Sequence, residues 1–450
     1  MKSVRTVPTH KWILENKQII SYVKKNVKVI SINIIPTGNF LFFTVCLLLT
    51  IFLTGCGQNN SSFTSVPAPS EVSKTTVDTS AQASTTSVEG APTNNTPETV
   101  TSSVEVASAD NTSGTNTSPA KPDAPQLQTD DSSIITLGFA GDMNLDENTT
   151  TTALLNSKEN GIYGCISDNL ITLVRSFDLF MLNNEFTYSL RGTPLEGKAY
   201  TFRADPDRVS ILGDLGVDLV LLANNHVFDY GADAFDDTLD TLNNAGIAYV
   251  GAGKNLAEAE KIYYTSIDGI TIAYVAATRA EKFKMTPSAT DSSPGVFLCY
   301  DYSRYLEVIK EASEHADYVV ASVHFGTEYS DTTDDYQVEM AHAFIDAGAD
   351  AVIGTHPHVL EGMEFYNGCP IIYSLGNFWF NDKDLYSGIL ELSIDSKDSS
   401  LKKVDFIPCT QYDCYTNYPT DQDSKKEIWD YMESISYNIQ ITETGEVLSK

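Results

Sequence analysis

Histidine is scarce in this chain, seven among 450 residues, and basic side chains are heavily outnumbered, 29 Lys and Arg against 60 Asp and Glu. The formal net charge of −31 argues against a nucleic-acid partner, whose phosphates are bound mainly through Lys and Arg. The same deficit means that an anionic substrate must be held by local cations rather than by a general field. Cysteine is sparse too. Cys46 and Cys56 belong to the amino-terminal segment; Cys165, Cys299, Cys369, Cys409 and Cys414 remain, an odd number without CxxC metal spacing. Cys409 and Cys414 are near enough in sequence to pair in an oxidising exterior, and none of the five is read as catalytic. A dinucleotide loop is missing as well, since Gly251-Ala252-Gly253 lacks the third glycine.

One uncharged apolar run is present, Phe40–Thr54, short of the ~20 residues that span a bilayer. It follows a polar, basic stretch whose one acid is Glu15, and it ends in Gly55-Cys56-Gly57. Basic flank, apolar core and small residues before a cut make a secretory signal. Leu53-Thr54-Gly55-Cys56 resembles the lipobox of bacterial lipoproteins, whose cysteine is lipidated; an uncleaved signal anchor is the alternative. Either reading tethers the protein through residues 1–56 to the bacterial cell membrane, with its bulk on the extracytoplasmic face. Residues 57–132 are rich in Ser and Thr and nearly free of aromatics, too little to offset the entropy of ordering, and read as a disordered linker. One folded domain is expected over residues 133–420, followed by a polar tail, 421–450, with a helix at Lys425–Ser434.

Within that domain, apolar runs of strand length alternate with segments of helical period. The expected strands are Ile134–Ala140, Phe177–Leu182, Val217–Ala223, Tyr318–Val323, Ala351–Ile353 and Pro370–Ser374. Hairpins are expected at residues 262–276 and 388–407. The alternation predicts an α/β domain with a mostly parallel sheet covered on both faces. Such sheets place ligands at the carboxyl ends of their strands, and that is where the chain puts its polar residues. Asp142 follows the first strand, Asn183-Asn184-Glu185 the second, and Asn225-His226 with Asp229 the third. His324 follows Tyr318–Val323, and His356-Pro357-His358 follows Ala351–Ile353. Pro357 stiffens the last loop and restricts His356 to extended backbone. Imidazole, carboxylate and side-chain amide together suit divalent ions. A bridging carboxylate would allow two of them ~3.5–4 Å apart, the arrangement for attack on phosphoryl and acyl centres. His315 and His342, on or beside helices, read as structural. The loop Glu281–Pro294 has no period and is a candidate lid or substrate rim.

The order of these motifs resembles the CapA family of bacterial capsule-synthesis proteins, from about Ile134 to Pro408. The remaining matches are Ala223-Asn224-Asn225-His226, His324-Phe325-Gly326-Thr327-Glu328, Gly354–His358 and Tyr373–Phe378. The resemblance implies a calcineurin-like metallophosphoesterase fold, a four-layer α/β/β/α sandwich, and a part in capsule or poly-γ-glutamate biosynthesis. It implies one or two divalent ions (Mn, Zn, Fe or Mg), with Asp142 as a ligand of the first and Glu185 in the place of a bridging acid. Asn225 matches an asparagine ligand, His324 and His356 look like ligands of the second ion, and His358 returns to the first. His226 would be the catalytic acid, steered by Asp229. Metallophosphoesterases usually carry Asp-x-His at the first strand, whereas Asp142-Met143-Asn144 lacks that imidazole, which should weaken the first ion's site. Arg203 and Arg279 are candidate anchors for an anionic polymer or a phosphorylated small substrate.

Two readings stand on this sequence. One is a membrane-anchored, metal-dependent hydrolase or transferase acting on phosphate or amide bonds. The other is a non-catalytic subunit that binds or exports polymer beside membrane-bound synthase subunits. Asn144 favours the second; retention of Asn225 and His226 favours the first.

Overall fold

Strands that are apolar at every position need cover on both faces, and this protein provides it with two sheets laid against each other. The computed structural model describes residues 133–280 and 285–450. The signal segment, Cys56 and the linker lie outside the described residues. Ile134–Met143 (β1), Leu179–Asn184 (β2), Leu219–Leu221 (β3) and Ala248–Val250 (β4) run side by side in parallel. Tyr263–Ile267 (β5) and Ile270–Thr278 (β6) form a hairpin that opens the second sheet. Tyr318–His324 (β7), Ala351–Thr355 (β8), Leu360–Tyr366 (β9) and Cys369–Leu375 (β10) complete it, in the order β9-β10-β8-β7-β6-β5. The chain then returns to the first sheet. Asn377–Trp379 (β11) pairs in parallel with β1, and Leu385–Asp395 (β12), Leu401–Tyr412 (β13) and Tyr415–Asn417 (β14) extend that sheet antiparallel.

The expectation of one mostly parallel sheet is thus corrected to two, and the period-2 pattern shows why. In β2, Leu179 and Met181 face the second sheet while Phe180 and Leu182 face outward. In β6, Ile272, Tyr274 and Ala276 face the first sheet while Ala273, Val275 and Ala277 face outward. Both faces are apolar, so hydropathy does not tell a helix-covered face from a sheet-covered one. Thr150–Ser157 (α1), Asp168–Val174 (α2), Ser210–Leu215 (α3) and Ala232–Ala245 (α4) cover the first sheet; Ser303–Ser313 (α5) and Asp335–Asp346 (α6) cover the second. The result is the α/β/β/α sandwich.

The segment beyond residue 420 is no loose tail. Gln422–Ser434 (α7) starts at Asp421, whose carboxylate accepts from the Ser424 N–H at 2.8 Å. It sends Ile428, Trp429 and Met432 into the core between the sheets, and the Trp429 indole donates to the Phe406 carbonyl at 2.9 Å. Cys409 and Cys414 do not pair. Both are buried free thiols, Cys409 on β13 and Cys414 in the following turn at φ 61°.

Part of the acidic excess pins strand register. Asp178, Asp218, Asp317 and Asp350 sit at the amino ends of strands and accept from Thr136, Phe180, Thr271 and Val319 N–H on neighbouring strands at 2.8 to 2.9 Å. The carboxyl ends are left for other polar groups.

Candidate metal centre

Five strand ends converge on one rim of the sandwich. Asp142 closes on β11 through its N–H, which donates to the Gly376 carbonyl at 3.0 Å. Gly141 makes that approach possible, since a Cβ there would lie 1.7 Å from the Gly376 oxygen. Glu185 follows β2, Asn225 and His226 follow β3, His324 ends β7, and His356 and His358 follow β8. None of these side chains belongs to a residue more than 5 % exposed.

They assemble into two groups that share a member. Ligand atoms of Glu185, His324 and His356 lie within 4.8 Å of one another, and so do those of Asp142, Glu185 and His358. In the first group His324 Nε2 lies 2.8 Å from Asn225 Oδ1, 3.1 Å from His356 Nδ1 and 3.5 Å from Glu185 Oε1. Lone pairs from two imidazoles, an amide carbonyl and a carboxylate therefore face one another. In the second group His358 Nδ1 is hydrogen-bonded with Asn377 Oδ1 at 3.0 Å, and its Nε2 lies 3.9 Å from Glu185 Oε1. Asp142 Oδ2 and Glu185 Oε1 are buried without a hydrogen bond. Imidazole nitrogens approach both, His358 Nδ1 3.0 Å from Asp142 Oδ2 and His324 Nε2 3.5 Å from Glu185 Oε1. Burial of carboxylate oxygens without hydrogen bonds is costly, and a divalent cation would resolve that cost at both atoms. The donor set fits such an ion in type and in number, better in the first group than in the second, where Asn144 contributes no imidazole.

Electrostatics agree. Burial, and next the Asp142 charge, hold Glu185 well above the usual carboxylate range. Burial pushes His324 and His356 well below the usual imidazole range, so their lone pairs are free, which is the protonation state of a ligand. Orientation comes from a layer behind the ligands. The Asn183 amide donates to Asp142 Oδ1 at 2.8 Å and to Glu185 Oε2 at 3.0 Å. Asn224 donates to Asn183 Oδ1 at 3.0 Å and accepts from the His226 and Val227 N–H groups, each at 3.0 Å. Thr355 Oγ1 contacts His324 Nδ1 at 2.8 Å.

The backbone of the last loop departs from expectation. His356 has φ 107° and His358 φ 60°, so the residue before Pro357 is not extended. Positive φ in a non-glycine residue is uncommon and strained, and such strain clusters at functional sites. Here it accompanies a loop in which both imidazoles reach the same Glu185.

His226 stands beside the groups, its Nε2 4.0 Å from Glu185 Oε1. Its Nδ1 meets Asp229 Oδ2 at 2.7 Å, and its ring packs on Phe202 with centroids 4.4 Å apart. Asp229 is held by the Phe202 N–H at 2.7 Å and by the buried Lys198 ammonium, 2.7 Å from Oδ1. Burial pushes the Asp229 carboxyl up to about 7, and Lys198 opposes it. Burial and the Lys198 charge hold His226 well below the usual imidazole range. Lys198 also donates to the Asn225 carbonyl, as Thr286 does at 2.9 Å. Thr286 is the part of the expected lid that reaches the site; residues 281–284 lie outside the described residues. A cavity of about 370 Å³ opens above His226 and His358, walled by Tyr200, Phe202, Tyr329 and Phe380.

The arginines read as substrate anchors do not line this cavity. The Arg203 guanidinium lies over the Tyr230 ring at 4.2 Å and donates to the Arg191 carbonyl at 2.9 Å, fastening the 191–203 loop. Arg279 lies over the Tyr336 ring at 3.6 Å. An aromatic face and a backbone oxygen thus occupy Arg203, while Arg279 rests on an aromatic face with its Nε buried and without a hydrogen bond among the described residues. His315 contacts the Glu311 carbonyl, and His342 stacks on Tyr366 and pairs with Glu364. Lys198, Asn183, Thr355 and Asn377 were not anticipated as members of the site. Asn183 and Asn377 lie inside the motifs, where strand position was a usable signal; Lys198 lies in a stretch with no period, where there was none.

The model of the family "Bacterial capsule synthesis protein PGA_cap" matches residues 136–382. "PGA biosynthesis protein CapA" of Bacillus subtilis is 40% identical over 185 residues, covering 41% of this chain and 48% of that protein. "Capsule biosynthesis protein CapA" of Bacillus anthracis is 34% identical over 214 residues, covering 46% and 50%. The chain thus spans about half the length of the curated relatives it matches. A solved phosphatase from Mycoplasma pneumoniae is 13% identical over 62% of this chain and 95% of that one, with a TM-score of 0.39.

Proposed function

The chain belongs to the bacterial capsule synthesis protein family, and we propose that it is a divalent-metal-dependent hydrolase or transferase acting on a phosphate or amide bond in capsule or poly-γ-glutamate assembly. The observation that carries the reading is the pair of buried ligand groups joined through Glu185 beneath a cavity that also exposes His226. Asp142, Glu185 and His358 would hold one ion, and Glu185, Asn225, His324 and His356 the other. A divalent ion there would supply Lewis acidity and activate water for attack. The protein's own part is proton handling and exclusion of solvent. Asp229 accepts from His226 Nδ1 and so leaves the Nε2 lone pair toward the cavity, where it can take up the proton that the attacking water releases and then pass it to a leaving atom. Lys198 balances the Asp229 charge, which keeps His226 from being fixed as a cation. Phe202 and Phe380 flank His226 and His358 and limit water. Tethering at the extracytoplasmic membrane face through Cys56 or an uncleaved anchor, with membrane synthase subunits as neighbours, completes the proposal.

A second reading, a polymer-binding subunit without turnover, draws on Asn144 in place of an imidazole. The deciding experiment is metal analysis of the purified protein together with turnover of p-nitrophenyl phosphate and of γ-glutamyl oligomers. Bound divalent ion and turnover of one probe, both lost in His356→Ala, are expected. A metal-free protein that behaves identically after His356→Ala would refute the enzyme reading.

A further inference from the structure

Asn144 lines the cavity, is fully buried, and leaves its amide nitrogen without a hydrogen-bond partner among the described residues. Its Oδ1 accepts from the Asp146 N–H at 2.8 Å, which fixes the amide with its donor end unused. A buried donor left unpaired in a native fold needs an explanation, and an acceptor that arrives with a ligand is one.

Two further features on the same cavity favour that acceptor being anionic. Asn148, Thr149 and Thr150 line it at the start of α1. This end carries the positive pole of the helix, its first turn has no acid, and the Thr150 hydroxyl there donates to the Asp382 carboxylate at 3.3 Å, so the position already draws one oxyanion. Lys383 lines it from the opposite loop, the one Lys or Arg among the lining residues. Its ammonium lies 3.1 Å from the centre of the Tyr329 ring. Tyr329 in turn has φ 60° and is pinned by its N–H to the Pro357 carbonyl at 2.8 Å. A bulky residue held in the left-handed region is a strained device that places its ring where it is used. Glu328 and Asp382 face the same space and outnumber Lys383, so the lining admits at most one oxyanionic group, and only where it sits directly on the Asn144 and Lys383 donors.

We propose that Asn144, the start of α1 and Lys383 form an oxyanion subsite beside the metal centre, which takes a single terminal phosphoryl or carboxylate group. Its position as a substrate subsite rests on the metal-dependent reading above; its capacity to bind an anion does not. Asn144 is then a donor to the ligand in the position where the family resemblance implies a ligand to the metal.

The test is calorimetric titration of the metal-loaded full-length protein with inorganic phosphate and, separately, with γ-glutamylglutamate. Wild type should bind at least one probe, and Asn144→Leu and Lys383→Met should each weaken that probe roughly ten- to a hundredfold, as loss of a hydrogen bond to a charged group does. Lys383→Arg should recover most of the loss. Phosphate binding alone assigns a phosphoryl group, dipeptide binding alone a carboxylate. Unchanged affinity in both variants, or no binding of either probe to wild type, overturns the subsite. Should Asn144→Leu fail to fold for want of the Asp146 contact, the exposed Lys383 decides. Binding that shows these losses in a protein without turnover would retain the subsite and reject the catalytic proposal.

Discussion

Replacing Glu185 with glutamine should stabilise the metal-free protein and destabilise the metal-loaded one. Glu185 and Asp142 are both fully buried, and their ligand oxygens fall within 4.8 Å of each other. Burial and the Asp142 charge hold the Glu185 carboxyl well above its usual range, so the metal-free fold must keep it protonated. That costs about 1.4 kcal/mol for each unit between its ordinary value of 4.5 and neutral pH, about 3 kcal/mol in all. Glutamine keeps an acceptor for the Asn183 amide, offers its own N–H toward Asp142 Oδ2, and stays neutral without that cost. The chelated variant should therefore unfold above chelated wild type by up to about 3 kcal/mol, on the order of 5 °C for a domain of this size. Metal reverses the order. An ion at 100 times its dissociation constant adds about 2.7 kcal/mol to a protein that binds it, and only wild type retains the shared carboxylate. Thermal melts after chelation, then with Mn²⁺ or Zn²⁺ added back, measure both arms. Melts in which the two proteins keep the same order with and without metal would refute the bridging role of Glu185.

The two ligand groups also differ in donors, four with Asn225 around His324 against three around Asp142, which ranks the ions. His356→Ala should lose the tighter ion and His358→Ala the weaker, so elemental analysis after dialysis should find more metal in His358→Ala; equal loss would contradict the ranking. Glu361 provides a pH test away from the metal. It is fully buried, Gln337 donates to its Oε2 at 2.7 Å, its Oε1 has no hydrogen bond, and burial pushes its carboxyl up to about 8 from 4.5. The folded state then binds more protons than the unfolded state between those values, so stability falls as pH rises through that window and levels off above it. The slope integrates to a few kcal/mol, on the order of 1.4 kcal/mol per unit of displacement. Urea unfolding from pH 5 to 9 should show that decline in wild type and a flatter curve in Glu361→Gln; parallel curves would show that Glu361 ionises without cost.

Legibility differed by element for physical reasons. Ala232–Ala245 carries apolar positions at helical spacing, and Gly231 and Gly246, both at positive φ, bracket that run as α4, so this helix is legible from its own window. α1 was unexpected, since Thr150-Thr151-Thr152 is β-branched and a poor helix former; Thr149 caps it by accepting from the Thr152 N–H. β9 was unexpected because Leu360–Tyr366 contains Gly362, Glu361 and Glu364. Gly362 answers to a distant segment, as a Cβ there would lie 2.1 Å from the Ile435 carbonyl after α7. A pattern confined to its own window cannot carry that requirement.

The site divides along the same line. The convergence of Asp142, Glu185, Asn225, His324, His356 and His358 was legible because each follows an apolar strand, and a parallel sheet delivers strand ends to one rim whatever the loops do. Arg203 and Arg279 lie on the Tyr230 and Tyr336 rings and outside the cavity lining, a placement no sequence window carries because a guanidinium serves an aromatic face as readily as an anion. Lys198 shows the converse. Nothing in Gly197-Lys198-Ala199 marks it, and it acquires a role only when the 191–203 loop folds back, with the Leu195 N–H on the Asp229 carbonyl at 2.9 Å and the Phe202 N–H on the Asp229 carboxylate. Polar groups fixed by strand ends can be read from a sequence of this kind; the groups that surround them arrive on loops, and their chemistry is set by what the loop closes against.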